Sequence, residues 1–187
     1  MAMLDAGRDR VEELLNARDR SLGHVLAGAA VCLGAAALSA VIAAKRSPTK
    51  ANPKLEHEYD RLEKADFEPP KSAYSVVWPA LFSVTTLSAL RIWNAPSGPD
   101  RTKALGLWGA LQGMNALWMA LSPKHRATTV ATALLTAVVT FAYARQAGKV
   151  DEKSAGMIAP YAGWVSFANL LSAEVWRKNR PKGVTIH

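Results

Sequence analysis

Residues 25–44 read VLAGAAVCLGAAALSAVIAA, twenty positions without one Asp, Glu, Lys, Arg or His. A helix of that length, rising ~1.5 Å per residue, matches a hydrocarbon layer ~30 Å thick. Four more charge-free stretches follow at 72–90, 104–123, 127–144 and 154–173, with charged connectors between them. The mean hydropathy of the 187-residue chain is near zero, because apolar blocks alternate with polar connectors. Five successive helices without a charged face make poor candidates for a water-soluble bundle. In lipid, by contrast, a helix satisfies its own backbone groups. The expected fold class is therefore all-α, an integral membrane bundle of five transmembrane helices, with its membrane domain at 21–179.

Residues 1–20 place Leu4, Val11 and Leu15 at helical spacing among charges, which reads either as an amphipathic surface helix or as disorder. Residues 180–187 form a basic tail. The net charge of +8 is divided between the two sides of the membrane. It suits clusters facing anionic lipid rather than a nucleic-acid surface. With five spans, thirteen Lys and Arg lie on the side of the first connector and the C-terminus and ten on the other. The positive-inside rule then puts the first connector and C-terminus in the cytosol. The single cysteine, Cys32, excludes an intramolecular disulfide and reads as a small packing residue beside Gly28 and Ala36 on one helix face.

Several residues within the spans stand out. Pro79 interrupts the second and should kink it. On the third, Trp108, Gln112, Asn115 and Met119 share a face, where amides either brace a neighbouring helix or line a cavity. On the fifth, Pro160, Trp164, Phe167 and Leu171 share a face with Tyr161 and Ala168 beside it. These rings are either helix packing or the wall of a pocket for a flat ligand. Glu174 is expected to pair with Arg177 and Lys178, three and four residues on. The first connector, 45–71, is long enough to suggest a functional or a disordered loop.

These residues also form an ordered set of motifs. The connector carries Tyr59-x-x-Leu62-x-Lys64-x-x-Phe67-x-Pro69-Pro70, followed by Val77-Trp78 and Leu81-Phe82. The third span has Asn115-x-x-Trp118. The fifth has Pro160-Tyr161-x-x-Trp164-x-x-Phe167-Ala168-x-x-Leu171, then Val175-Trp176-Arg177-x-Asn179. In order and spacing the chain resembles the translocator protein, or tryptophan-rich sensory protein (TspO/MBR), family.

The resemblance implies a five-helix bundle, commonly a homodimer, with a pocket near the first connector for porphyrins, sterols or aromatic drugs. Carried onto this chain, the pocket would comprise Trp164, Ala168, Leu171, Phe167 and Tyr161, with Asn115, Trp118 and Trp78. Tyr59, Phe67, Pro69 and Pro70 would form the lid. The implied role is that of a sensor, carrier or regulator of tetrapyrrole metabolism. No cofactor is required, and porphyrin or haem would be the ligand. Two other functions remain open: light-dependent porphyrin breakdown, and a membrane scaffold that has lost the ligand. The chain departs from the family pattern at Ser72 and Phe67, where tryptophans are usual, at 119–123, and at Ala173, where the animal members' sterol motif has Tyr. No catalytic residue and no metal site is expected, since there is no nucleotide loop, hydrolase nucleophile or metal-binding helix motif. The four histidines lie in connectors, at span edges or in the tail.

Overall fold

The computed structural model describes residues 2–46, 52–121 and 126–180, and in these it is all-helical. Eight helices follow in order: α1 (Ala2–Leu15), α2 (Leu22–Arg46), α3 (Pro53–Asp60), α4 (Lys71–Asn94), α5 (Pro99–Ala120), α6 (Arg126–Gly148), α7 (Glu152–Met157) and α8 (Ala159–Asn179). The five long ones run 25, 24, 22, 23 and 21 residues. By length and composition, three candidate spans stand out: Leu22–Arg46, Lys71–Asn94 and Ala127–Gly148. α5 and α8 are less apolar because their buried faces carry Gln112, Asn115 and Asn169 and their ends carry charge.

The helix ends differ from the expected spans in two places. The segment 154–173 is not one helix but breaks at Ile158 into α7 and α8. Asp151 caps α7 by accepting from the Ser154 backbone N–H, and Pro160 sits at the start of α8, where its missing N–H costs nothing. The third span was expected to reach Pro123, but α5 ends at Ala120; residues 122–125 lie outside the described residues. Pro79 does lie inside α4, as expected. The long connector contains α3, with Pro53 in its first turn.

α6 packs against α5 and α8, while α2 packs against α5 and α4. α4 and α8 meet only sparsely, leaving a seam between them. The core is filled by Tyr143, Tyr161, Ile92, Leu111, Ile158 and Val165. On α6, Thr132, Thr136 and Thr140 each donate to the carbonyl four residues back, so their buried hydroxyls are satisfied within the helix. The small face of α2 is buried as expected, with Cys32 and Ala36 in the core.

At the end of the bundle where α4 finishes, a buried polar network ties four elements together. The Arg91 guanidinium holds the Asp151 carboxylate at 2.7 and 3.0 Å and donates to the carbonyls of Glu13 and Leu14. Asn94 donates to the Leu15 carbonyl at 2.9 Å. Asn16, in the left-handed conformation at φ 55°, ends α1. The last carbonyls of α1 are thus capped by α4. Asp151 also accepts from the Ser154 hydroxyl, and Ser88 joins Tyr143 to the Ser154 carbonyl. Burial alone would push the Asp151 carboxyl up, but hydrogen bonds from Arg91 and Ser154 outweigh it and hold it below the usual carboxylate range.

Gly28 meets the Trp93 ring where a Cβ would stand 2.3 Å from Cδ1. That ring is pinned, because Trp93 Nε1 donates to the His24 carbonyl and Arg101 lies over its face. Gly28→Ala is expected to cost about 1–3 kcal/mol by overpacking, whereas Gly34→Ala, with open space around it, should be neutral. Thermal unfolding in detergent compares them. A second expectation concerns pH. The contribution of Asp151 is complete above its ordinary pKa and is lost as pH falls below about 4. The melting temperature of the native protein should therefore fall more steeply with acid than that of Asp151→Asn.

Candidate functional site

The connector before α4, expected from the resemblance to be a lid, folds back on itself and onto the end of α8. Tyr59, at the end of α3, donates its hydroxyl to Glu68 Oε1 at 2.7 Å, closing the loop on itself. The Lys64 ammonium lies 3.1 Å from the centroid of the Tyr59 ring and donates to the Tyr59 carbonyl. Burial holds the Lys64 ammonium below its usual range. Burial and the hydrogen bond to Glu68 push the Tyr59 phenol up, so it stays a donor. Ala65 is buried against Leu171 and Val175 of α8, with Leu62 and Tyr74 alongside. Polar contacts fix the lid to the α8 terminus: Asn179 exchanges hydrogen bonds with the Glu63 backbone at 2.8 and 2.9 Å, and Lys178 reaches Asp66 at 2.7 Å. Lys71 at the start of α4 pairs with Glu56 and Asp60 of α3.

Beneath and beside the lid runs a continuous series of rings. Phe67 meets Phe167 edge-on at 6.1 Å, and Phe167 meets Trp164 at 5.6 Å. Trp164 meets Tyr74 at 5.8 Å and Trp78 at 6.3 Å, and Trp78 meets Trp118 at 6.1 Å. These separations lie in the range for edge-to-face and offset aromatic contacts. Along the α4–α8 seam lies an open groove of about 490 Å³, lined by Pro69, Val77, Leu81, Pro160, Gly163, Trp164 and Phe167, so that Trp164 and Phe167 are the rings of this series that face it. That volume lies within the ~300–1,000 Å³ of small-molecule sites. Three polar atoms around the lid end are buried with no partner among the described residues: Glu68 Oε2, the Tyr74 hydroxyl and Trp164 Nε1. Among the described residues no cluster of His, Cys, Asp or Glu could hold a metal ion.

A sequence model of the TspO/MBR family matches residues 28–177. The chain belongs to the TspO/MBR family. It is 31% identical over 125 residues to Protein CrtK of Rhodobacter capsulatus, covering 65% of this chain and 78% of that protein. Over 122 residues it is 27% identical to Tryptophan-rich protein TspO of Bacillus cereus, covering 65% and 80%. Tryptophan-rich sensory protein of Cereibacter sphaeroides is 26% identical over 123 residues, covering 65% and 76%. With its apolar helices, the chain is an integral membrane protein of this family.

The TspO/MBR motif residues divide into three groups in space. Trp164, Phe167 and Pro69 line the groove itself. Trp78, Trp118 and Ala168 form the packed layer behind it with Ala133, while Leu171 lies under the lid against Ala65. Tyr161 and Asn115 face inward instead. The Tyr161 hydroxyl donates to Asn115 Oδ1 at 2.5 Å, deep between α5 and α8, bracing the two helices. Of the lid residues, Phe67 reaches the rings, Tyr59 holds Glu68, and Pro70 sits at the N-cap of α4. Lys178 departs from expectation: its short contacts are to Asp66 and the Lys64 carbonyl rather than to Glu174, which Arg177 takes at 2.6 Å. Tyr74 and Glu68 were missed. A helical wheel finds Tyr74, one turn before Trp78, whereas Glu68 has no sequence signal beyond lying between Phe67 and Pro69.

Tyr161→Phe would remove the hydrogen bond that Asn115 Oδ1 accepts at a buried site. The expected loss is about 1–3 kcal/mol, read as a lower melting temperature. If the pair is a brace, ligand affinity should stay unchanged in the variant that remains folded.

Proposed function

We propose that this chain crosses the bilayer with five helices, α2, α4, α5, α6 and α8, and binds flat, largely apolar ligands in the α4–α8 groove. Porphyrin or haem is the ligand class that fits best, and the role that follows is sensor, carrier or regulator of tetrapyrrole metabolism. The observation that carries this reading is a groove of about 490 Å³ faced by the rings of Trp164 and Phe167, which Trp78 and Trp118 back through edge-on contacts. Such a wall stacks on a tetrapyrrole face without demanding a particular pattern of hydrogen bonds. The lid supports it, since a loop clamped at Asn179 and Lys178 can release and reclose over a ligand. A sterol would fill the same groove, but the Ala173 position gives it no separate support. A homodimer is part of the proposal, consistent with open space beside Gly106, Gly109 and Gly113 on α5. The lid and the C-terminus share one side, proposed as cytosolic.

Titrating protoporphyrin and haem into detergent-purified protein while following tryptophan fluorescence tests the reading. Saturable quenching in the micromolar range or better, about −8 kcal/mol, is expected, with affinity weakened about tenfold by Trp164→Phe. Quenching that never saturates, or that is indifferent to Trp164, would remove the groove as the ligand site.

A further inference from the structure

The groove lining is apolar, but a carboxylate is buried next to it in the loop before α4. Glu68 lies in the lid between Phe67, whose ring meets Phe167, and Pro69, which lines the groove. One carboxylate oxygen accepts from Tyr59; the other is buried and unpartnered. The Tyr74 hydroxyl and Trp164 Nε1, on rings 5.8 Å apart, are buried and unpartnered as well. A buried polar atom without a partner is costly, and these three belong to the loop before α4, to α4 and to α8, which are joined by the ring contacts of Phe67, Phe167, Trp164 and Tyr74. Lys64, the nearest cation in the lid, is engaged with the ring and carbonyl of Tyr59.

We propose that Glu68 sets the charge selectivity of the groove: the site takes an aromatic ligand that presents an N–H or O–H donor at the lid end and disfavours one that presents a carboxylate there. Glu68 Oε2 receives the donor, while Trp164 Nε1 donates to an acceptor on the same ligand. A carboxylate in that place would face Glu68 at short range in a site of lowered dielectric, where like charges repel strongly. The proposal rests on the groove reading above. It adds a specificity that ring stacking does not supply.

Two probes with the same four-ring face separate the effects: 1-pyrenemethylamine and 1-pyrenecarboxylic acid, titrated at pH 7 in neutral detergent with tryptophan quenching as the readout. The chain's net charge of +8 favours the acid in general, so a preference for the amine must arise locally. The native protein should bind the amine about tenfold or more tighter than the acid. Glu68→Gln keeps the acceptor for Tyr59 and should abolish most of that ratio. Tyr59→Phe, which frees the other carboxylate oxygen, should maintain or raise it, and serves if the first variant does not fold. Equal binding of both probes by the native protein, or a ratio unmoved by Glu68→Gln, overturns the role of Glu68 while leaving the groove standing. Absence of saturable binding of either probe, with Trp164→Phe indistinguishable from native, overturns the groove itself.

Discussion

A bundle of apolar helices must satisfy its polar atoms internally, and the two ends of this molecule differ in how they meet that constraint, although Asn94 Oδ1 at the end of α4 is also left without a partner among the described residues. At the end where α4 finishes, the guanidinium of Arg91, 4% exposed, is matched by Asp151 and by two backbone carbonyls of α1. Asp151 is in turn matched by Ser154. Breaking such a set by removing one charge strands the other in a poor solvent. That end is therefore fixed. At the lid end, Glu68, Tyr74 and Trp164 each keep an unpartnered buried atom. Incomplete satisfaction there fits the proposed site, because a ligand would supply the missing partners.

The geometry between the two ends follows from residue size. Gly28 lets α2 close onto Trp93, and Cys32, Ala36 and Ser39 continue that contact along α2. Ser39 donates to the Gln112 carbonyl of α5. On the opposite side, large rings on α4 and α8 prevent comparable approach, so these helices stand apart and border the groove. Close packing on one side and bulk on the other come from the same rule, that helices in lipid approach as near as their interface side chains allow.

Much of this was legible in the sequence, and the reasons differ from residue to residue. Charge-free stretches located the long helices, because the periodic cost of charge in lipid leaves a one-dimensional trace. Trp164 and Phe167 were legible as a pair, since spacing by three on a helix fixes a shared face. Spacing alone left Asn115 open between bracing a neighbour and lining a cavity; the resemblance put it and Tyr161 in the pocket set, and the structure joins the two by a buried hydrogen bond. The break at Ile158 was hidden because the stretch around it is apolar throughout, and only the Asp151 cap and Pro160 mark it. Glu68 was invisible for a further reason: its partner Tyr59 is nine residues away across a loop whose path has no period.

The N-terminal helix precedes the family match but is held by residues that lie within it. The family match begins at residue 28, so α1 lies outside it. Yet the groups that hold α1, Arg91 and Asn94, lie inside it, on the last turn of α4. A helix C-terminus exposes carbonyls that want donors, and the end of α4 supplies a guanidinium and an amide at the place where Asn16 turns the chain. His24 and Trp93 then exchange hydrogen bonds where α2 begins, and Arg20 donates to the Asn94 carbonyl at 2.6 Å. The addition is thus anchored at the end of α4 opposite the lid. Since α4 also carries Val77 and Leu81 along the groove, the same helix joins the fixed end to the open one. Changes at α1 would reach the ligand only by tilting α4 as a whole.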